Sequence, residues 1–122
     1  MTRTALVTGG SRGIGAAISK ALKAEGHTVA ATYAGNDEAA AAFTKETGIQ
    51  TYKWNVADYE ESAAGIAKVE AEVGPIDILI NNAGITRDGF MHKMETEQWN
   101  AVIDTNLSSL FYMTKPVLEG MR

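Results

Sequence analysis

A short apolar run, Thr4–Val7, leads straight into Thr8-Gly9-Gly10-Ser11-Arg12-Gly13-Ile14-Gly15, and that turn leads straight into a helical pattern through Ile18, Ala21 and Leu22. Nothing else in the chain restricts the fold as tightly. Glycines let a backbone turn sharply and let a ligand come close to it. A helix that begins at such a turn directs its unpaired N–H groups and the positive end of its dipole at the same place. Strand, glycine turn and helix in this order form a cradle for a phosphate. The chain is therefore expected to hold a nucleotide.

The same alternation continues along the chain. Residues 13–25 read as a helix closed by Gly26, and Thr28–Tyr33 as a second strand. Asn36 or Asp37 caps an alanine-rich helix ending at Gly48, and residues 50–55 form a third strand with Tyr52, Trp54 and Val56 alternating. Asp58 with Glu61 resembles a capping box for a helix that runs to Val73 and stops at Gly74-Pro75. Residues 76–80 form a fourth strand, apolar except for Asp77, as suits a parallel strand covered on both faces. A loop with Gly84 and Gly89 precedes a helix that starts near Thr96, in which Pro116 should produce a kink or a break. Repeated strand–helix units predict right-handed crossovers and a parallel α/β sheet.

Composition narrows the classes. The 122 residues suit one domain, and a formal charge of −4 speaks against a general nucleic-acid binder. The chain has no cysteine, which excludes disulfides and thiolate chemistry. His27 and His92 are far apart and have no ligand pattern around them, so no metal site is expected. No apolar run approaches the roughly 20 residues that span a bilayer. The first strand begins within a few residues of Met1, which leaves no room for a signal peptide, and the expected location is cytoplasmic.

Spacing then sorts the nucleotide folds. Gly10 and Gly15 have Walker-type separation, but Ala16-Ala17 follows where Lys and Ser or Thr would be needed, so an ATPase is excluded. The usual dinucleotide fingerprint fails at Ile18, where a small residue is required. What remains is Gly-x-x-x-Gly-x-Gly at Gly9, Gly13 and Gly15. Together with Asn81-Asn82-Ala83-Gly84 downstream, it resembles the short-chain dehydrogenase/reductase family. The resemblance implies a Rossmann-like doubly wound parallel sheet, of which residues 1–122 would be the N-terminal half, incomplete at the C-terminus, with about four strands. The first and fourth strands would be neighbours, with a nicotinamide dinucleotide in the crevice at their C-terminal ends. Its expected contacts are Gly9, Gly10, Ser11, Arg12, Gly13, Ile14 and Gly15 from the turn and Asn82, Ala83 and Gly84 from the second motif. In the family the loop after the third strand contacts the adenine, which here points to Asn55, Val56 and Asp58, the last also a helix cap.

Charge selects between the cofactors. NAD sites usually place an acid about 20 residues after the glycine turn, at the end of the second strand. Here Tyr33-Ala34 occupies that place, and no acid comes before Asp37. Arg12, inside the turn, offers a planar fork to a 2′-phosphate, so NADP is expected.

In the family, Tyr acts as the acid for the carbonyl, with Lys four residues later, a Ser that orients the carbonyl and an Asn on the long helix. Val102-Ile103-Asp104-Thr105-Asn106-Leu107 matches the segment that carries the Asn, which makes Asn106 the catalytic candidate. The Ser, Tyr and Lys belong to segments after a further strand, and Tyr112, with Lys115 only three residues on, does not replace them. The 122-residue chain alone is therefore expected to be inactive, and its open strand edge to promote self-association.

Ile85-Thr86-Arg87-Asp88, Phe90-Met91-His92-Lys93-Met94 and the segment from Trp54 to Asp58 resemble reductases of 3-oxoacyl thioesters. The implied reaction is NADPH-dependent reduction of acetoacetyl-CoA to 3-hydroxybutyryl-CoA, in polyhydroxybutyrate synthesis. Reduction of 3-oxoacyl groups on acyl carrier protein, in fatty-acid synthesis, is the alternative. A non-catalytic dinucleotide-binding half-domain is the alternative of another class. Lys93 is expected to meet the phosphates of an acyl-CoA substrate and Asp88 a polar part of its arm. Intact relatives are typically homotetramers, and the same assembly is expected here.

Overall fold

A computed structural model describes residues 2–83, 96–97 and 109–121. Its elements are β1 (Thr4–Val7), α1 (Gly13–Ala24), β2 (Thr28–Tyr33), α2 (Asp37–Thr47), β3 (Gln50–Lys53), α3 (Tyr59–Glu72), β4 (Ile78–Ile80) and α4 (Ser109–Met121). The strands form one parallel sheet in the order β3-β2-β1-β4. Strands β1 and β4, far apart in sequence, are therefore neighbours, as the doubly wound reading requires.

Side-chain alternation in the strands explains why helices cover both faces. Leu6 and Ala30 point to one side, where they join Ile66 and Val69 of α3 and Met113 and Val117 of α4. Val7, Val29 and Ala31 point to the other side, where Ile18 and Leu22 of α1 and Phe43 of α2 complete a second cluster. A central strand must be apolar at every position to serve two cores. Ala5, Leu6 and Val7 have no solvent exposure at all.

The helix caps follow their residue chemistry. Asn36, rather than Asp37, caps α2, its side-chain oxygen accepting from the Ala39 amide at 3.0 Å, and Gly48 caps the other end in a left-handed conformation at φ 77°. Asp58 caps α3 by accepting from the Glu61 amide at 2.9 Å. The reciprocal half of the expected capping box is absent. Glu61 reaches past Asp58 to the Asn55 amide at 3.1 Å, because the Asp58 amide already donates to the Asn55 carbonyl.

Four expected boundaries are corrected, one of them the end of α3, which stops at Glu72 with Val73 as its cap. Helix α1 ends at Ala24, with Glu25 as its cap. Strand β3 ends at Lys53, although the Trp54 amide still reaches the Tyr33 carbonyl at 3.2 Å. Strand β4 starts at Ile78, because Asp77 uses its carboxylate and its amide on the backbone of Thr4. Helix α4 continues through Pro116, so of the kink or break expected there the break does not occur. Of the long helix read from Thr96, residues 98–108 lie outside the described residues, as do Trp99 and His92.

Candidate functional site

The C-terminal ends of β1, β2 and β4 are tied together by three buried hydroxyls. Thr8 Oγ1 accepts from the amides of Asn82 at 3.0 Å and Ala83 at 2.9 Å, and donates to the Ile80 carbonyl at 3.4 Å. Thr32 Oγ1 accepts from the Gly9 amide at 3.3 Å, and the Gly10 amide donates to the Thr32 carbonyl at 3.1 Å. Ser19 Oγ donates to the Gly10 carbonyl at 2.9 Å. A buried hydroxyl that spends its bonds on backbone fixes the path of that backbone, because leaving the group unpaired costs more than the bond gains.

Gly15 lets the first helix approach this junction. A Cβ there would land on the Gly9 carbonyl and within 2.6 Å of Asn82 Nδ2, an atom that donates to the same carbonyl at 3.2 Å. Gly9 and Gly13 turn the chain at φ 61° and φ 57°, in the left-handed region that disfavours side chains. The glycine turn and the Asn81-Asn82-Ala83 segment thus form one packed unit. Arg12 precedes α1 in extended conformation and makes no side-chain cap, which leaves the first amides of α1 without a side-chain partner among the described residues.

Above this junction lies an open cleft of about 500 Å³. Gly9, Ser11, Arg12 and Gly13 line one side, Asn82 and Ala83 the floor near β4, and Trp54, Asn55 and Val56 the far end. Of the residues singled out in the sequence, these are brought together. Gly10 and Gly15 pack behind the cleft and do not line it, and Ile14 is 75% exposed at the start of α1. Asp58 is engaged as the cap of α3, while Asn55 folds its side chain onto the Ala57 amide at 2.9 Å. Gly84, Asp88, Lys93 and Asn106 lie outside the described residues.

Thr8, Ser19 and Thr32 received no role from the sequence, yet they hold the junction. The available signal was polarity out of place: Thr32 follows the apolar run Val29-Ala30-Ala31, and Ser19 sits between Ile18 and Leu22 on α1. The cleft wall after β2 was also incompletely read. Tyr33, Ala34, Gly35 and Asn36 line it, and beside them Lys53 Nζ lies 3.2 Å from Asp37 Oδ1. A hydrogen bond from Lys53 and a second from Tyr33 hold the Asp37 carboxyl below its ordinary value. Burial, then the contact with Asp37, pushes the Tyr33 hydroxyl up.

The model of the family described as short chain dehydrogenase matches residues 3–122. The chain belongs to this family. Short-chain dehydrogenases are oxidoreductases, and the parallel sheet with helices on both faces is their Rossmann-like fold. The acetoacetyl-CoA reductase of Paracoccus denitrificans is 70% identical over 122 residues, all of this chain and 50% of that protein. A 3-oxoacyl-[acyl-carrier-protein] reductase of Staphylococcus aureus is 47% identical over 116 residues, 91% of this chain and 47% of that protein. A blue fluorescent protein from a metagenomic library, solved in complex with NADPH, superposes with a TM-score of 0.89 at 30% identity, covering 96% of this chain and 50% of that one. The chain spans about half the length of the curated relatives it matches. Among the described residues, no helix is long and apolar enough to cross a membrane.

Asp58 offers a direct check on how far capping and ligand contact overlap. Asp58→Ala is expected to lower stability by about 1 kcal/mol through loss of the cap. If its only role is the cap, denaturant unfolding will shift while nucleotide affinity under native conditions stays the same.

Proposed function

We propose that this short-chain dehydrogenase chain is the cofactor-binding part of an NADPH-dependent reductase that converts acetoacetyl-CoA to 3-hydroxybutyryl-CoA. The observation that carries the cofactor reading is the cleft wall itself. Arg12 lines it, and among the described residues no carboxylate does. The uncapped start of α1 and the open space beside Gly13, a lining residue with nothing near its Cβ position, suit a pyrophosphate lying close to backbone. The mirror-image demand of an NAD site, a carboxylate for the ribose hydroxyls, is not met by any lining residue among those described.

In this reading the turn of Gly9, Ser11, Arg12 and Gly13 binds phosphates, and Asn55 and Val56 border the adenine. Asn82 and Ala83 carry the wall towards the reacting end, where Gly84 follows them in sequence. Bound NADPH supplies the hydride for the carbonyl. Asn106 orders a water for proton relay, while Lys93 and Asp88 meet the acyl-CoA. The acid itself is not within residues 1–122, since no Tyr in the chain is followed four residues later by Lys. The 122 residues alone are therefore expected to bind NADPH and to leave acetoacetyl-CoA unreduced. The intact enzyme acts in the cytoplasm as a homotetramer, in polyhydroxybutyrate synthesis. Identity of 70% against 47% favours the CoA thioester over the carrier-protein thioester.

Fluorescence titration of the chain with NADPH and NADH tests the cofactor, and an equal affinity for both would overturn that half. The product of the whole reading frame, assayed with acetoacetyl-CoA and acetoacetyl-carrier protein, tests the substrate. Faster turnover of the carrier-protein form would move the reading to fatty-acid synthesis. Binding without turnover of either would leave a dinucleotide-binding module.

A further inference from the structure

The wall after β2 holds an acid close to the cleft and keeps it occupied. Asp37, the first residue of α2, follows the lining residue Asn36, and both of its carboxylate oxygens face Lys53 Nζ, at 3.2 Å and 3.4 Å. Lys53 is the register partner of Tyr33 on the neighbouring strand, so the sheet itself delivers the ammonium to this carboxylate. Contact with Lys53 first, and with the Tyr33 hydroxyl second, holds the carboxyl below its ordinary pKa. Asp37 and Lys53 side chains are 67% and 52% exposed, and a solvent-exposed pair of this kind contributes little to fold stability. Its field, however, reaches the adjoining wall.

Neither Asp37 nor Lys53 lines the cleft, whereas Tyr33, Asn36 and Arg12 do. With the pair intact, Arg12 is the one charged residue among the described lining residues. Without Lys53, a bare carboxylate adjoins the wall, free to repel a phosphate and to accept from a ribose hydroxyl. We infer that Lys53 is a specificity-determining positioning residue, which favours a nucleotide bearing a 2′-phosphate by holding the Asp37 carboxylate in an ion pair beside the cleft. The inference rests on the NADP reading above and adds to it a residue that never touches the ligand.

The test uses the 122-residue chain at low ionic strength with 2′,5′-ADP and 5′-AMP as probes, each titrated by calorimetry. The unsubstituted chain is expected to prefer 2′,5′-ADP. Lys53→Met should reduce that preference about five- to tenfold, the scale of one unscreened charge near a phosphate dianion. Lys53→Arg should keep it. Asp37→Asn added to Lys53→Met should bring the preference back, which the loss of a merely structural contact would not do. An undiminished preference in Lys53→Met, or no recovery in the double variant, overturns the inference while the NADP reading stands. Equal binding of the two probes by the unsubstituted chain overturns the NADP reading, and the role of Lys53 falls with it.

Discussion

Gly15→Ala is expected to abolish nucleotide binding and to lower stability by about 3 kcal/mol, the upper part of the range for overpacked interiors. The added methyl has nowhere to go. Its nearest neighbours are the Gly9 carbonyl, a piece of backbone, and Asn82 Nδ2, which is hydrogen-bonded to that same carbonyl. Either α1 moves away from the turn or the turn breaks its contact with β4. Both outcomes displace the amides at the start of α1 and the wall formed by Asn82 and Ala83. Gly13→Ala is the informative contrast. Gly13 has φ 57° but open space around its Cβ position, so only the left-handed backbone is penalised, by about 1 kcal/mol. Urea midpoints and NADPH titrations of the two variants separate these causes. A Gly15→Ala protein with unchanged midpoint and affinity would show that the close approach has no importance.

The element order was legible in the sequence, since short apolar runs and glycine stops punctuate the chain regularly, and the pairing of β1 with β4 was implied by the family resemblance. The boundaries that moved did so for side-chain reasons that periodicity does not encode. Asp77 trades a strand position for two bonds to Thr4, and Glu61 bypasses its expected partner because Asn55 is already in place. The site was legible where glycine geometry or a charge marks it, as at Gly9, Arg12 and Asn82. It was not legible where two distant residues meet across strands. Lys53 and Asp37 are sixteen positions apart, and only the register of β2 with β3 brings them together. Thr8 stands inside the quoted motif, but its importance comes from Asn82 and Ala83, more than seventy residues away.

That hydroxyl is the basis of a second large effect. Thr8→Val keeps the shape of the side chain and removes its oxygen. The Asn82 amide retains the Ile80 carbonyl at 3.1 Å, whereas the Ala83 amide has no second partner among the described residues. A part-buried N–H left without an acceptor costs about 1–3 kcal/mol, and the lost contact to the Ile80 carbonyl adds to that. Thr8→Val is therefore expected to cost about 3 kcal/mol. Thr8→Ser, which keeps the oxygen and loses one methyl, is expected to cost about 1 kcal/mol. Binding should follow the oxygen and not the methyl. Asn82 and Ala83 line the cleft, and Asn82 also holds the Gly9 carbonyl, so a shift of this segment loosens the floor and the glycine turn together. NADPH affinity is expected to fall about tenfold in Thr8→Val, equivalent to about 1.4 kcal/mol, and to stay within twofold in Thr8→Ser. Equal losses in the two variants would assign the effect to packing of the methyl instead. A Thr8→Val protein as stable as the parent would mean that Ala83 finds another acceptor, and that β1 and β4 do not depend on this hydroxyl for their junction.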